Sequence, residues 1–392
     1  MQNWLLPEYI HDMLPEEAWH VDLMRTQVID LFRKYGYQLV APPLLEYAES
    51  LLIDGSAEKH LAGQPNDMDL RTFKLVDQLS GRTLALRADI TPQVARIDAH
   101  LLNRQGVARL CYAGSVLHTM PAGLNRTREL LQIGAELYGH SGLESDLEIQ
   151  QLMLQALALI GVQDVHLDLG HVGVFRALAR HAQLDTKLEI DLFAALQSKD
   201  STTLQDLVAE LDDESRSALM ALPTLYGDCN EVLDRARKLL PELPEITSAL
   251  ADLQTVADKL QVSSIGIDLA DLRGYHYHSG MVFAAYHAGS HDAIALGGRY
   301  DDLGKSFGRA RAATGFSMDL RQLYRLLPAQ AAQLAIRAPY LDDVGLSAEI
   351  ANLRAMGEVV VMNLPGSEDC PAELQCNRDL IFREGVWQVV AI

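Results

Sequence analysis

Residues 115–136 read SVLHTMPAGLNRTRELLQIGAE, and how this stretch is read decides the fold. Apolar and polar side chains alternate, stop at Pro121-Ala122-Gly123, and resume after Arg126 and Arg128. Alternation of period two marks a half-buried strand, and a Pro/Gly break between two such runs marks a hairpin. The strands extend over Arg109–Ser115 and Leu130–Tyr138. Two arginines at the loop exit suit an anion, whereas His118, Thr119 and Met120 grip one poorly. On the return strand Gln132, Gly134 and Glu136 share a face, because residues two apart point the same way. An amide and a carboxylate there suit a zwitterionic ligand; an ordinary exposed sheet face is the other reading.

N-terminal to this hairpin, Val21, Met24, Val28, Leu31 and Phe32 recur at helical spacing and predict a helix over 15–35, ended by Gly36. A strand follows over 37–41. FKLVD (73–77) and TLALRAD (83–89) form a second hairpin, and Thr91-Pro92 opens a helix to about Leu102, with Thr91 as its cap. In LRADITPQVAR (86–96) Arg87 and Asp89 share a strand face. Asp89 and Thr91 suit an ammonium group, or simply a capping turn.

C-terminal to it, a helix over 143–160 and a strand over 164–169 precede a Leu/Ala/Asp/Glu-rich stretch, 172–260, that reads as a helical insertion with no strand. Strands resume at 264–268, 281–286 and 293–296. ATGFSMDLRQL (313–323) is a Gly-led strand entering a helix that carries Arg321; the helix is placed at about 315–327. Residues 328–338 are Ala/Gln-rich and read as a linker or short helix. A helix (347–356), a strand (357–363) and a possible terminal strand (387–392) follow. Strands come as neighbouring hairpins with helices between groups, which predicts an α+β fold with a mainly antiparallel sheet. The expected domains are a core over 1–327 containing the insertion, a linker over 328–338, and a small α/β domain over 339–392.

The formal net charge of −20 argues against a broad nucleic-acid footprint. Cys111, Cys229, Cys370 and Cys376 make no C-x-x-C pair, so no zinc site is expected, and a reducing cytoplasm fits. The N-terminus lacks the pattern of a signal peptide, and no long apolar run predicts a membrane span. Neither G-x-G-x-x-G nor a P-loop motif is present.

Two further segments carry chemistry. DLRGYHYHSGMVF (271–283) crowds Arg273, Tyr275, His276, Tyr277 and His278 into one turn, which suits a pocket for a small polar ligand. Without a third ligand at a clear spacing no metal is expected there. LGGRYDDLGKSFG (296–308) pairs Gly297-Gly298, where backbone comes close to another chain or ligand, with Arg299 and Tyr300.

Taken in order, these segments resemble the class II histidyl-tRNA synthetases over about residues 5–325. NRTRELLQIGAE stands for that family's G-R-x-R-x-F…Q-x-G-x-E, RGYHYH for its R-G-L-D-Y-Y, and GGRYD (297–301) is intact. The resemblance implies a class II core with an antiparallel sheet flanked by helices. It implies a histidine site of Asp89, Thr91, Gln132, Glu136, Arg273, Tyr277 and His278, with Arg126, Tyr275, His276, Arg299 and Tyr300 as possible ligand contacts. The departures matter as much. The family holds the ATP α-phosphate with an arginine where this chain has Leu117 or His118. The γ-phosphate arginine of G-L-E-R falls on Gln322 in DLRQ, with Arg321 one residue early and therefore about 100° away. The residues left for an anticodon-binding domain are little more than half the usual number.

A chain that retains an amino-acid site without its ATP and tRNA grips is similar to the regulatory subunits of ATP phosphoribosyltransferase. That resemblance implies no catalysis, no cofactor and no metal. It implies a dimer that joins the short catalytic subunit in a hetero-octamer, four copies of each, in the cytoplasm. Its role would be to activate that partner in the first step of histidine biosynthesis and to transmit allosteric inhibition by L-histidine, with no tRNA and no membrane involved. The alternatives are a histidyl-tRNA synthetase or a stand-alone amino-acid-adenylating ligase.

Overall fold

The structure is a computed structural model that describes residues 4–52, 67–121, 127–272, 277–328, 333–366 and 374–392. The chain divides into two compact units. One comprises Met1–Asp12 with His20–Leu326, the other Met13–Trp19 with Leu327–Ile392.

Among the described residues sixteen strands form three sheets. In chain order they are β1 (Gln38–Leu39), β2 (Leu45–Tyr47), β3 (Lys74–Val76), β4 (Thr83–Leu86), β5 (Ala108–Leu117), β6 (Glu129–Tyr138), β7 (His166–His171) and β8 (Tyr226–Asp228). Then come β9 (Ser264–Asp268), β10 (Met281–Tyr286), β11 (Ala295–Arg299), β12 (Ala313–Asp319), β13 (Gln333–Pro339), β14 (Val360–Asn363), β15 (Leu374–Arg383) and β16 (Val386–Ala391). The first unit is built on a nine-stranded sheet in the order β1-β5-β6-β12-β11-β10-β7-β9-β8. Every pair from β5 through to β7 is antiparallel, and the flanking pairs β1–β5 and β7–β9 are parallel. This is the α+β sheet the sequence predicts. β2, β4 and β3 make a small antiparallel sheet beside it.

The helix Pro15–Lys34 buries Val21, Met24, Val28 and Phe32, the apolar stripe read from the sequence. The helix after β4 begins at Thr91 and passes at Ile97 into a π-helical segment, Ile97–Leu102, that ends at Asn103 in the left-handed conformation. Thr91 is not its cap. The preceding Ile90 holds that position, the Asp89 carboxylate accepts the Thr91 N–H at 3.1 Å, and the Thr91 hydroxyl is turned inward.

Residues 172–260 form helices at Val172–His181, Thr186–Gln197, Ser201–Leu207, Asp213–Ala221, Cys229–Leu239 and Pro244–Lys259. Four of them start at an aspartate (Asp185, Asp200, Asp212, Asp228) whose carboxylate accepts first-turn N–H groups. The expectation of no strand is corrected by β8, an exposed three-residue edge strand. It is too short to alternate, and Gly227 gives it a left-handed φ of 122°. The helix expected over 315–327 is also corrected. Residues 313–319 are the strand β12, paired on both sides, and the helix covers only Leu320–Tyr324. The two-sided ladder decides Gly315–Met318.

The second unit holds a four-stranded sheet, β14-β13-β15-β16, covered on one face by the helix Val344–Ala355. Ile336, Ala338, Leu346, Ile350, Leu353, Val360 and Leu380 form its core. Here the linker reading of 328–338 fails, because β13 begins at Gln333 and lies between two parallel partners, β14 and β15. Ala and Gln carry weak strand propensity, and pairing on both edges overrides it. Asp343 caps the helix and also accepts the Trp387 indole N–H at 3.0 Å. Among the described residues no helix is long and apolar enough to cross a membrane.

Candidate functional site

The site grows from β6. Gln132, Gly134 and Glu136 face the same way, and the gap at Gly134 is filled from β5 by Tyr112, its register partner. A Cβ at Gly134 would meet the Tyr112 hydroxyl at 2.5 Å. Tyr112 is fully buried, and its hydroxyl donates to Glu136 Oε1 at 3.1 Å. Thr91, at the start of its helix, donates to the same oxygen at 3.0 Å. The Tyr300 hydroxyl, just beyond β11, donates to Oε2 and lies 3.2 Å from the Tyr138 hydroxyl. Glu136 is thus a buried carboxyl whose partners are hydroxyls. Burial pushes its pKa up to about 8; the Tyr300 hydroxyl opposes this, the charge of Asp89 adds to it, and the Thr91 and Tyr112 hydroxyls oppose it.

Nearer the surface, Gln132 ties the β6 face to the strand-to-helix turn. Its Nε2 donates to Asp89 Oδ1 at 2.7 Å and its Oε1 accepts the Ile90 N–H at 2.9 Å. Asp89, Thr91, Gln132 and Glu136, four of the predicted histidine-binding residues, therefore form one connected group. Tyr300, predicted as a possible contact, joins them.

Tyr277 adds an aromatic wall. Its ring lies 5.0 Å from that of Tyr300 and meets His278 edge-on at 5.2 Å. Its hydroxyl is shielded from solvent and has no hydrogen-bond partner among the described residues. Burial, with the charges of Glu136 and Asp89, raises its pKa well above the ordinary phenol value. His278 lies with Nδ1 3.2 Å from the Arg299 carbonyl oxygen, and burial lowers its pKa to about 4, so the ring is neutral. It packs over Gly298, where a Cβ would meet it at 2.8 Å.

Arg299, by contrast, is committed to structure. Its guanidinium donates to Asp146 Oδ2 at 2.7 and 3.1 Å, to Ser145 at 2.8 Å and to the carbonyls of His140 and Gly142. Both partners are buried. The expectation that Arg299 contacts a ligand fails on this geometry. Arg126, Arg273, Tyr275 and His276 lie outside the described residues.

The positions that the resemblance matches to phosphate-holding arginines, Leu117 or His118 and Gln322, carry no arginine or lysine. His118 follows β5 and sets Nε2 2.9 Å from the Ala88 carbonyl oxygen. Gln322 donates to Ser290 and to the Ala293 carbonyl, both at 3.2 Å. Arg321 is buried and directed at the His11 carbonyl, 3.0 Å away. Arg87 donates to the carbonyls of Ser115 and Pro42, each at 2.8 Å. Arg321 and Arg87 are thus engaged with backbone, as is Arg128, whose Nε donates to the His118 carbonyl at 3.1 Å.

Sequence reading missed Tyr112, Tyr138 and Gly315. Gly315 lies opposite Glu136 in the β6–β12 register. The glycine at 134, between two polar residues of one strand face, was the available signal that something bulky fills the space.

Comparison with known proteins follows the two units. The histidyl-tRNA synthetase family profile matches residues 9–323, and that of the ATP phosphoribosyltransferase subunit HisZ C-terminal domain matches 332–390. The ATP phosphoribosyltransferase regulatory subunit of Ralstonia nicotianae is 57% identical over 389 residues, 99% of this chain and 98% of the relative. That of Burkholderia lata is 57% identical over 390 residues, 99% of each. Among solved structures, an ATP phosphoribosyltransferase regulatory subunit/histidyl-tRNA synthetase from Bacillus halodurans C matches with a TM-score of 0.80 and 29% identity, covering 94% of this chain and 95% of that one. Histidyl-tRNA synthetase from Nostoc sp. PCC 7120 shares the fold, with a TM-score of 0.75 and 18% identity over 99% and 97% of the two chains.

Proposed function

Since this chain belongs to the family of ATP phosphoribosyltransferase regulatory subunits, built on the histidyl-tRNA synthetase fold, we propose that it regulates a short catalytic subunit and performs no chemistry itself. The partner makes phosphoribosyl-ATP in the first step of histidine biosynthesis, in the cytoplasm. The complex is a hetero-octamer of four copies of each chain, in which this one self-associates as a dimer. L-histidine binds among Asp89, Thr91, Gln132 and Glu136, with Arg273, Tyr277 and His278 completing the site. Neither tRNA nor a membrane takes part.

One observation carries this reading. Glu136, Gln132 and Asp89 belong to one connected polar group of the kind that suits an ammonium, while Leu117 or His118, and Gln322, stand where the resemblance puts the cations a nucleotide needs. Phosphoryl and nucleotidyl transfer depend on fixed positive charge around the phosphates. Histidine inhibits by binding more tightly to the inactive arrangement of the complex than to the active one, since a ligand shifts an equilibrium only by that difference. Such coupling typically amounts to about 1–3 kcal/mol, or roughly 5–150-fold in affinity.

The test is co-purification with the short catalytic subunit, followed by phosphoribosyl-ATP formation with and without histidine. Activation of the partner by this chain and inhibition on adding histidine are expected. ATP–pyrophosphate exchange by the pure chain would overturn the non-catalytic reading. Histidine binding unchanged in Glu136→Ala would place the ligand elsewhere.

A further inference from the structure

We propose that the pocket exchanges a proton for its ligand: Glu136 is protonated while the site is empty and releases that proton to solvent when the ammonium group of the amino acid arrives. This inference rests on the ligand reading above.

Its basis is a count of hydrogens. Glu136 Oε1, Thr91 Oγ1 and Tyr112 OH form a triangle with separations of 3.0, 3.1 and 3.1 Å. A hydroxyl carries one hydrogen, so Thr91 and Tyr112 supply two edges of the three. A hydrogen on Oε1 supplies the third when the donors run one way round the ring: Oε1 donates to one hydroxyl, that hydroxyl to the other, and the last back to Oε1. At the other oxygen, the Tyr300 hydroxyl touches both Oε2 and Tyr138 OH, and the hydrogens of these two hydroxyls suffice for both contacts. The network closes when the carboxyl is neutral and is one hydrogen short when it is ionised.

The surroundings favour the same state. Facing the carboxyl are Asp89 and Thr91 from the strand-to-helix turn, Tyr112 from β5, Gln132 and Tyr138 from β6, Tyr300 after β11, and Tyr277. Of these none is basic, and Asp89 is a second acid, which raises the Glu136 pKa further. Beyond Tyr138, Asp98 is paired with Arg311 at 2.8 Å. Glu136 itself is buried and no basic side chain among the described residues faces it, so there the anionic form lacks both water and a counter-charge. When the ammonium enters, it supplies the counter-charge. The carboxyl O–H bond breaks, the proton passes to solvent, and the ammonium N–H groups replace it as donors to the carboxylate.

The experiment is calorimetric titration of histidine into the full chain at about pH 7.5 in phosphate, HEPES and Tris. The slope of observed enthalpy against buffer ionisation enthalpy gives the protons released. More than about half a proton per site is expected, with affinity rising close to tenfold per pH unit below the carboxyl's pKa. A slope of zero overturns the exchange. In Glu136→Gln, which preserves the shape and carries no such proton, the slope falls to near zero; an unchanged slope also overturns it.

A second measurement needs no ligand binding by the variant. The infrared difference between empty wild type and Glu136→Gln at neutral pH should contain a protonated-carboxyl carbonyl band that vanishes on adding histidine. A carboxylate band in its place overturns the proposal. If the wild type ignores histidine yet shows the protonated band, the ligand assignment has failed and the empty-state half of the inference stands.

Discussion

Gly315 on β12 stands directly opposite Glu136 on β6, and a Cβ at Gly315 would lie 1.5 Å from Glu136 Oε2. The carboxyl therefore occupies the space that glycine leaves. Gly315→Ala must drive Glu136 away from Tyr300 or part the two central strands. Overpacking of this kind costs about 1–3 kcal/mol or more. We expect a lower urea midpoint together with loss of histidine binding, measured by denaturation and calorimetry. Native affinity in the alanine variant would show that Glu136 does not hold the ligand.

Glu136 should also imprint a pH dependence on stability. In the folded chain its pKa is raised to about 8, chiefly by burial, against an ordinary value of 4.5. Below the ordinary value both states hold the proton, and the contribution is fully present. Between the two values only the folded state holds it, so stability falls as pH rises, by about 1.4 kcal/mol per unit. Glu136→Gln removes that slope: its amide N–H can stand in for the carboxyl hydrogen toward Thr91 and Tyr112 while its carbonyl accepts from Tyr300. The stability of the variant relative to wild type should grow steadily from about pH 5 to about pH 8 in urea titrations of the unliganded proteins. A constant difference would mean that the carboxyl is already ionised.

The parts of this site legible in the sequence are those that spacing alone controls. Gln132 and Glu136 lie four apart on one strand, so they share a face whatever the partners are. Asp89 and Thr91 bracket a strand-to-helix turn that Pro92 announces. What was not legible depends on register. Tyr112 reaches Glu136 because β5 pairs Tyr112 with Gly134, and no local pattern states which residue of one strand faces which of the next. β13 went unread for a related reason: its Ala-rich stretch becomes a strand through the partners on its two edges. Arg299 misled because an arginine after two glycines looks free to meet a ligand. Its true partner, Asp146, lies 153 residues away.

That pairing makes Asp146→Asn informative. Asp146 and Arg299 are both buried, and burial raises the Asp146 pKa against the pull of the guanidinium. Removing the Asp146 charge leaves buried Arg299 with the longer contact to part-exposed Asp301, 3.4 Å away, and breaking a buried pair costs up to about 3–5 kcal/mol. We expect a large drop in the urea midpoint with an unchanged denaturant slope. Histidine affinity should stay within about twofold wherever the variant remains folded. Little loss of stability would return Arg299 to the list of groups available to a ligand.

Tyr277 offers a test in which stability and binding move in opposite directions. Its hydroxyl is shielded and has no hydrogen-bond partner among the described residues, while its ring packs on Tyr300 at 5.0 Å. A buried polar group left unsatisfied costs about 1–3 kcal/mol, and removing it without changing the ring recovers part of that. Tyr277→Phe should therefore raise the melting temperature of the unliganded protein by a few degrees. If the hydroxyl finds its partner in the ligand, the same change should weaken histidine binding by about two- to tenfold, since a lost hydrogen bond is worth about 0.5–1.5 kcal/mol. Melting curves with and without saturating histidine measure both effects on one sample. The variant should melt above wild type when empty and gain less on adding histidine. Equal gains would place the ligand out of reach of Tyr277, and a lower melting temperature when empty would show that the hydroxyl is satisfied within the fold.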